Sequence, residues 1–157
     1  MNKQVWIEKA LGLGIQEFEI YQSTMVEKEM TWFQGQMDTL VSSKVTGTSI
    51  RGIVDGKMAN MALEEIDDSM CETVLKSLIE QAHIISNEET DSLRKPEPIE
   101  YAKKDVTWNM ASTEYVKDVL QSLEAKILAY DPRVIQVGYL GYSQGSGSRS
   151  IVNSLGM

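Results

Sequence analysis

The spacing of apolar residues changes from a helical to a strand pattern early in the chain. Residues 2–13 predict a helix that Asn2 caps and Gly14 ends. From Glu17 onward, apolar and polar residues alternate, which predicts a long strand that continues through Phe33. The residues predicted to lie on one face of the helix are Val5, Trp6, Ala10 and Leu13.

Three turn signals divide the residues that follow this strand: Gln34-Gly35-Gln36, Thr46-Gly47-Thr48 and Asp55-Gly56. Asp-Gly is typical of a two-residue hairpin, since both positions need positive φ angles. Together the signals predict a four-stranded antiparallel meander, in which Arg51 points to the wetter face. The three further strands are predicted at Met37–Val45, Ser49–Val54 and Lys57–Leu63.

Two further amphipathic helices are predicted. The first, Ser69 to Ser86, begins where Ser69 and Glu72 have the spacing of a capping box. The second runs from Ser112 or Thr113 to Tyr130. The apolar stripes are Cys71, Val74, Leu75, Leu78, Ala82 and Ile85 on the first, and Val116, Val119, Leu120, Leu123, Ile127 and Tyr130 on the second.

The segment between these helices contains Pro96 and Pro98, which forbid a regular helix and predict a connector. Ile99, Tyr101, Val106 and Trp108 could attach it to the body. After the last helix, residues 133–142 and 150–153 predict a hairpin with a glycine- and serine-rich tip.

The order of these elements is typical of an α+β fold, with helices packed on a largely antiparallel sheet. We predict a single domain over residues 1–157, made of a helix–meander–helix part (1–86), a connector (87–111) and a helix with a hairpin (112–157). Because the sequence stops just after an apolar strand, we expect the natural chain to continue past Met157.

Composition narrows the functional classes. The formal net charge of −8 opposes attraction to a phosphate backbone, so we expect no direct nucleic-acid binding. The cationic pairs Arg94-Lys95 and Lys103-Lys104 are interpreted as solvated loop charges. Cys71 is the only cysteine, and no apolar run approaches the ~20 residues of a membrane span. A reduced, cytoplasmic protein without a membrane segment is expected.

No constellation of residues in the sequence predicts a catalytic, cofactor or metal site. His83 is the only histidine, whereas zinc sites usually need three protein ligands. Cys71 lies on a predicted apolar stripe, where burial raises a thiol pKa, although a helix N-terminus would lower it. The residues Glu64, Glu65, Asp67 and Asp68 are better explained as helix capping, and Gly145–Arg149 as a hairpin tip.

The order of several motifs resembles the N-terminal domain of the TldD/PmbA family. They are Glu17–Tyr21, Ile50–Ala59, the acidic step into the helix that ends at Gln81-Ala82, Tyr130–Val134 and Arg149–Gly156. Each is an ordinary turn or strand when taken alone, so the resemblance depends on their order and spacing. It covers nearly the whole chain.

The resemblance implies a domain of a bacterial zinc-metallopeptidase subunit, historically called a modulator of DNA gyrase. Zinc is then expected only in a TldD-type subunit, on a His-Glu-x-x-x-His motif that this sequence lacks. The Asp-Gly-Lys hairpin looks closer to the PmbA/TldE branch. The expected partners are a TldD-like subunit or a second copy, and an extended peptide. The alternative is a freestanding interaction module that uses helix Ser69 to Ser86.

Overall fold

The computed structural model describes residues 1–64, 66–86, 88–98 and 109–157. The strands form one four-stranded antiparallel sheet in the order β3-β2-β1-β4, so the predicted α+β class is confirmed. The elements are α1 (Lys3–Gly12), β1 (Glu17–Phe33), β2 (Gln36–Val54), β3 (Lys57–Leu63), a short 3-10 turn (Asp68–Met70), α2 (Cys71–Ile84), α3 (Thr113–Tyr130) and β4 (Leu140–Asn153).

Side-chain caps begin both α1, as predicted, and α3, whose predicted start at Ser112 or Thr113 is confirmed. The Asn2 side chain accepts from the Val5 amide at 3.4 Å, and the Ser112 hydroxyl accepts from the Tyr115 amide at 3.1 Å. Gly14 follows α1 with a φ of +92°, a conformation that favours glycine.

The capping box predicted for α2 is wrong. Asp67 accepts from the Ser69 amide at 2.7 Å and opens the 3-10 turn that precedes the helix. Ser69 therefore lies inside this turn and not at the helix boundary. Glu72 pairs with Lys76 one helical turn further on, at 2.6 Å.

The turn predicted at Thr46-Gly47-Thr48 is also wrong, because β2 runs through it without a break. Thr24 and Thr46 share a hydroxyl hydrogen bond of 3.0 Å, and Gln22 donates to Thr48 at 3.3 Å. These pairs keep one register with β1 across Gly47. The meander therefore has three strands, and its two hairpins turn at Gln34-Gly35 and Asp55-Gly56, all four residues having positive φ.

The fourth strand of the sheet is β4, which replaces the predicted C-terminal hairpin. It runs antiparallel to β1, since the Ser154 amide donates to the Phe18 carbonyl at 2.8 Å while Gly145 lies near Val26 at the other end. A Cβ at Gly145 would stand 3.3 Å from the Val26 carbonyl oxygen. Its glycine thus allows close strand packing and does not form a turn.

The internal contacts divide the chain into two compact units. Unit 1 comprises Met1–Thr24, Thr46–Tyr101 and Ser148–Met157. Its core is built by α1, α2 and the facing side chains of the sheet, and the predicted stripe of α2 is confirmed. On α1, the predicted burial of Trp6 and Ala10 is confirmed, but Leu13 is exposed and Ile7, which was not on the predicted face, is buried. The buried core residues include Trp6, Ala10, Phe18, Ile20, Ile50, Cys71, Leu75 and Leu78.

Unit 2 comprises Met25–Val45 and Ala102–Gly147. Its core is smaller and joins β1 to α3 through Met30, Trp32, Val116 and Leu120. The stripe predicted for α3 is partly wrong, because Glu124 is buried. Three residues of that stripe are exposed instead, namely Val119, Leu123 and Tyr130. The connector residues Ile99, Tyr101, Val106 and Trp108, and the pair Lys103-Lys104, lie outside the described residues.

Candidate functional site

His83 and Cys71, the residues that the sequence analysis weighed for metal or nucleophilic chemistry, lie apart in different environments. His83 is exposed on α2, and its Nε2 is 3.7 Å from the Asp55 carboxylate. In the described part of the chain, no three His, Cys, Asp or Glu residues are grouped as a metal site would require. Cys71 is fully buried in the unit 1 core, and this burial raises the pKa of its thiol.

The acidic residues before α2 fix backbone and side-chain donors. The Asp68 carboxylate accepts from the Asn2 amide at 2.8 Å and from the Trp6 indole at 2.9 Å. These hydrogen bonds lower the pKa of Asp68, the Asn2 contact contributing most. Asp67 caps the 3-10 turn, and Glu65 lies outside the described residues. The capping interpretation is therefore confirmed for Asp67, whereas Asp68 instead ties the start of α1 to this turn.

A buried carboxylate network, which the sequence analysis missed, lies on the sheet face opposite α1 and α2. Glu19 on β1 is only 3% exposed, and its Oε1 accepts from Arg51 Nε at 2.7 Å and Nη2 at 2.6 Å. Its Oε2 accepts from the Asn153 amide at 3.3 Å, and Asn153 also donates to the Arg94 carbonyl at 3.0 Å. Three strands and the connector therefore meet at Glu19.

A cavity of about 310 Å³ opens beside this network, within unit 1. Arg51 lines it with the half of its side chain that remains exposed, in agreement with its predicted position on the wetter face. All four strands contribute to the wall. Besides Glu19 and Arg51, the described lining residues are Tyr21, Ser49, Met58, Asn60 and Ile151.

A second feature is the unpaired edge of β2. Strand β3 pairs with β2 only over Thr48–Val54, so within the described chain residues 36–47 have a strand neighbour on the β1 side alone. An unpaired edge offers backbone donors and acceptors to an added strand. Charges are sparse along it: the stretch contains only Asp38 and Lys44.

One face of the β1–β2 hairpin in unit 2 carries several exposed apolar side chains, together with the exposed carboxylates Glu27 and Glu29. Its residues are odd-numbered on both strands, and the cross-strand pair Thr31 and Thr39 shows that odd positions share a face. Exposed apolar clusters of this kind mark interaction surfaces. We call it the hairpin face; its apolar residues are Met25, Phe33, Met37, Val41 and Val45, which are 37–63% exposed.

Comparison of the sequence with known families gives one match. Residues 18–86 match the model described as PmbA/TldA metallopeptidase domain 1. No curated protein sequence matches the chain.

Comparison of the fold with solved structures gives several matches. A proposed modulator of a DNA gyrase from Thermotoga maritima has a TM-score of 0.80 and 17% identity, over 99% of this chain and 35% of that one. TldE from Thermococcus kodakarensis has a TM-score of 0.81 and 18% identity, over 98% and 35%. A proposed modulator of DNA gyrase from Bacteroides thetaiotaomicron has a TM-score of 0.74 and 19% identity, over 98% and 36%.

The fold and the family match define the class: an α+β domain of the type found at the start of PmbA/TldA metallopeptidases. The family match over residues 18–86 agrees with the TldD/PmbA resemblance that the motif order suggested. It spans about a third of the length of the solved structures that it resembles. No helix in the described residues is long and apolar enough to span a membrane.

Proposed function

We propose that this chain is a non-catalytic domain of a PmbA/TldD-type metallopeptidase subunit, and that it encloses an extended peptide and takes part in subunit assembly. The observation that carries the proposal is the free edge of β2 over residues 36–47. The exposed hairpin face beside this edge supplies apolar area for a partner subunit, either a TldD-like chain or a second copy.

The proposal assigns this chain to the PmbA/TldE branch and to the cytoplasm. Zinc is not expected here, since the described residues present no three-ligand set, and the sequence lacks a His-Glu-x-x-x-His motif. Peptide hydrolysis is therefore assigned to a TldD-like partner. The alternative interaction module loses support, because α2 uses its apolar stripe in the core of unit 1.

The orientation of the backbone along β2 shows which groups would receive a peptide. The Thr39 amide points to the Thr31 hydroxyl on β1, and the Ile53 carbonyl accepts from the Gln16 amide on the same side. Because the direction alternates along a strand, the even-numbered residues direct their N–H and C=O groups to the free edge. These residues are Asp38, Leu40, Ser42 and Lys44.

This alternation permits a matched pair of proline variants. Ser42→Pro removes an outward donor, which an edge strand tolerates, so we expect stability to stay within about 1 kcal/mol of the parent. Val41→Pro removes a donor directed at β1 and should destabilise the hairpin by about 3 kcal/mol or more. Chemical denaturation separates the two cases before any peptide is added.

The binding experiment uses a ten-residue peptide of alternating valine and threonine with both ends blocked. We expect it to slow hydrogen exchange at the Leu40 and Ser42 amides in the parent chain. In the folded Ser42→Pro variant, which has no amide hydrogen at position 42, it should slow exchange at Leu40 far less. The same peptide N-methylated at alternate residues, which lacks donors on one edge, is the control. Equal protection in the parent and the variant, or equal protection by both peptides, would reject the edge as the site.

The peptidase part of the proposal needs the complex. With a TldD-like subunit added, the Ser42→Pro variant should lower the rate of peptide cleavage without lowering the amount of complex on size-exclusion chromatography. Normal cleavage by this variant would show that the edge does not enclose substrate. A Met37→Lys and Val41→Lys double variant tests assembly separately, because it places charge on the hairpin face and should reduce complex formation.

A further inference from the structure

The cavity beside Glu19 contains a fixed arginine whose second hydrogen-bonding edge has no partner among the described residues. A guanidinium has five N–H donors, arranged as one fork from Nε and Nη2 and another from Nη1 and Nη2. Glu19 takes the first fork, with Nε at 2.7 Å and Nη2 at 2.6 Å from the same oxygen. Neither Nη1 nor the remaining Nη2 hydrogen bonds to a described residue.

Hydrogen bonds to a buried carboxylate fix the orientation of the Arg51 guanidinium. Glu19 is buried, and Asn153 holds its other oxygen while donating to the Arg94 carbonyl. A guanidinium fixed in this way loses less conformational entropy when it binds a ligand than a free arginine does. The Nη1/Nη2 fork of Arg51 is therefore already oriented for a ligand at the cavity wall.

The rest of the wall adds polar groups that point to the same ligand chemistry. The side chains of Tyr21, Ser49 and Asn60 line the cavity and form no hydrogen bond with a described residue. Asn60 on β3 is the register partner of Arg51 on β2, so its amide stands beside the guanidinium. Met58 and Ile151 supply apolar wall on which the stem of a small ligand can pack.

We propose that this cavity is a carboxylate-binding site, in which the Nη1/Nη2 fork of Arg51 binds both oxygens of a peptide carboxylate. A planar fork with hydroxyl and amide donors around it matches a carboxylate, whereas a neutral amide would satisfy only part of it. The site takes either the C-terminal carboxylate of a peptide or an acidic side chain within one. It lies wholly within unit 1 and does not depend on the proposed role of the β2 edge.

The probes are acetyl-alanyl-alanine with a free C-terminus and the same dipeptide as its C-terminal amide. We expect the free acid to shift the NMR signals of the Arg51 Nε–H group and the Asn60 side-chain amide in a saturable way, and the amide to leave them unchanged. A third probe, acetyl-alanyl-glutamyl-alanine amide, distinguishes the two carboxylate sources. Binding of either acid supports the site. The one that binds more tightly shows whether the site prefers a C-terminal carboxylate or an acidic side chain.

Variants test whether the fork is responsible. Arg51→Lys keeps a positive charge beside Glu19 but removes the planar fork of N–H donors. It should weaken binding of the free acid by about tenfold, as expected for the loss of a charge-assisted hydrogen bond. Asn60→Ala leaves the Glu19 pair intact, so it tests the cavity even if Arg51→Lys fails to fold. We expect it to weaken binding about threefold.

The matched control is Arg149→Gln, which removes an exposed arginine of the same unit outside the cavity lining. It should leave binding of the free acid unchanged. Several outcomes would overturn the site: no saturable shift with either acid, equal shifts with the amide, unchanged binding in folded Arg51→Lys and Asn60→Ala, or a loss in Arg149→Gln as large as in the cavity variants.

Discussion

The Trp32 indole donates to the Glu124 carboxylate at 2.7 Å and thereby joins β1 to α3 across 92 residues of sequence. The same oxygen accepts from the Gly35 amide at 2.9 Å, at the tip of the β1–β2 hairpin. One buried carboxylate therefore holds a core side chain and a turn. Because both donors depend on Glu124, the pair offers a direct test of how unit 2 is stabilised.

Replacing Glu124 by alanine should destabilise unit 2. The variant leaves the buried indole without an acceptor, which costs about 1–3 kcal/mol, and the Gly35 amide adds to this. Glu124→Gln keeps one acceptor oxygen and should fall between the parent and the alanine variant. Chemical denaturation followed by tryptophan fluorescence measures the three. Lys117→Ala, on the exposed face of α3, is the control and should change stability by less than about 0.5 kcal/mol. An equal effect of Glu124→Ala and Lys117→Ala would contradict the role of the carboxylate.

The glycine at position 52 should be sensitive to a single added methyl group. A Cβ there would stand 2.9 Å from Ile15 Cγ2 and 3.0 Å from Leu78 Cδ2. Gly52→Ala is therefore expected to cost about 1–3 kcal/mol by overpacking. Gly47→Ala is the matched control on the same strand, because nothing lies within 4 Å of its Cβ and its φ is not positive. Thermal unfolding of the two variants compares them, and a smaller loss for Gly52→Ala than for Gly47→Ala would be inconsistent with this packing.

Removing Arg51 from its ion pair with Glu19 should lower the stability of the fold. Arg51→Ala leaves a buried carboxylate whose remaining hydrogen-bond partner among the described residues is Asn153, a situation that typically costs about 3–5 kcal/mol. We expect the loss of stability to lie at or below the lower end of this range, because solvent screens the charge of the half-exposed arginine. Replacing both residues by methionine removes the unpaired charge and should be less destabilising than Arg51→Ala alone. Urea denaturation gives both values; a double variant at least as unstable as the single one would contradict the argument.

The hydrogen bonds of Asp68 predict a loss of stability in acid. They lower the pKa of its carboxyl in the folded state below the ordinary value of 3.8. The folded state then binds the proton less readily than the unfolded state, so the stabilisation is present above 3.8 and is lost as pH falls through the folded pKa. Asp68→Asn lacks this titration. The difference in unfolding free energy between the parent and the variant should therefore be larger at pH 6 than at pH 3. A difference that does not shrink toward pH 3 would contradict the assignment.

The buried thiol of Cys71 should be inert in the folded chain. Burial raises its pKa, and the reactive species is the thiolate. Reaction with a disulfide reagent should therefore be slow in native buffer and fast in denaturant. A native rate close to the denatured rate would show that α2 opens readily at its N-terminus.

Local signals predicted the parts of the fold that are held locally. The Asn2 cap, the start of α3 and the hairpins at Gln34-Gly35 and Asp55-Gly56 depend on neighbouring residues alone, and each was predicted correctly. Gly47 and Gly145 have the same sequence character as turn glycines. Pairing with β1 keeps both in extended strands, and a single sequence does not show that pairing.

The candidate site depended on contacts between distant residues. Glu19 lies on the polar side of the β1 alternation, a position that by itself favours a solvated side chain. It is buried because Arg51 and Asn153, 32 and 134 residues away, converge on it. Glu124 is a similar case, since Trp32 draws a charged residue onto the buried side of α3. One signal could have suggested the pair of Glu19 and Arg51: an acidic residue and an arginine that lie directly opposite each other on two adjacent strands.

The junction between the last residues and the first strand constrains how the chain reaches this structure. Ser154 bonds to Phe18 and Asn153 to Glu19, so β4 closes the sheet over more than 130 residues. Pairings of such long range are formed late, because much chain entropy is lost before they contribute any stability. During synthesis, β1 would leave the ribosome well before its β4 neighbour, and one side of it would stay open until residues 140–153 had been added.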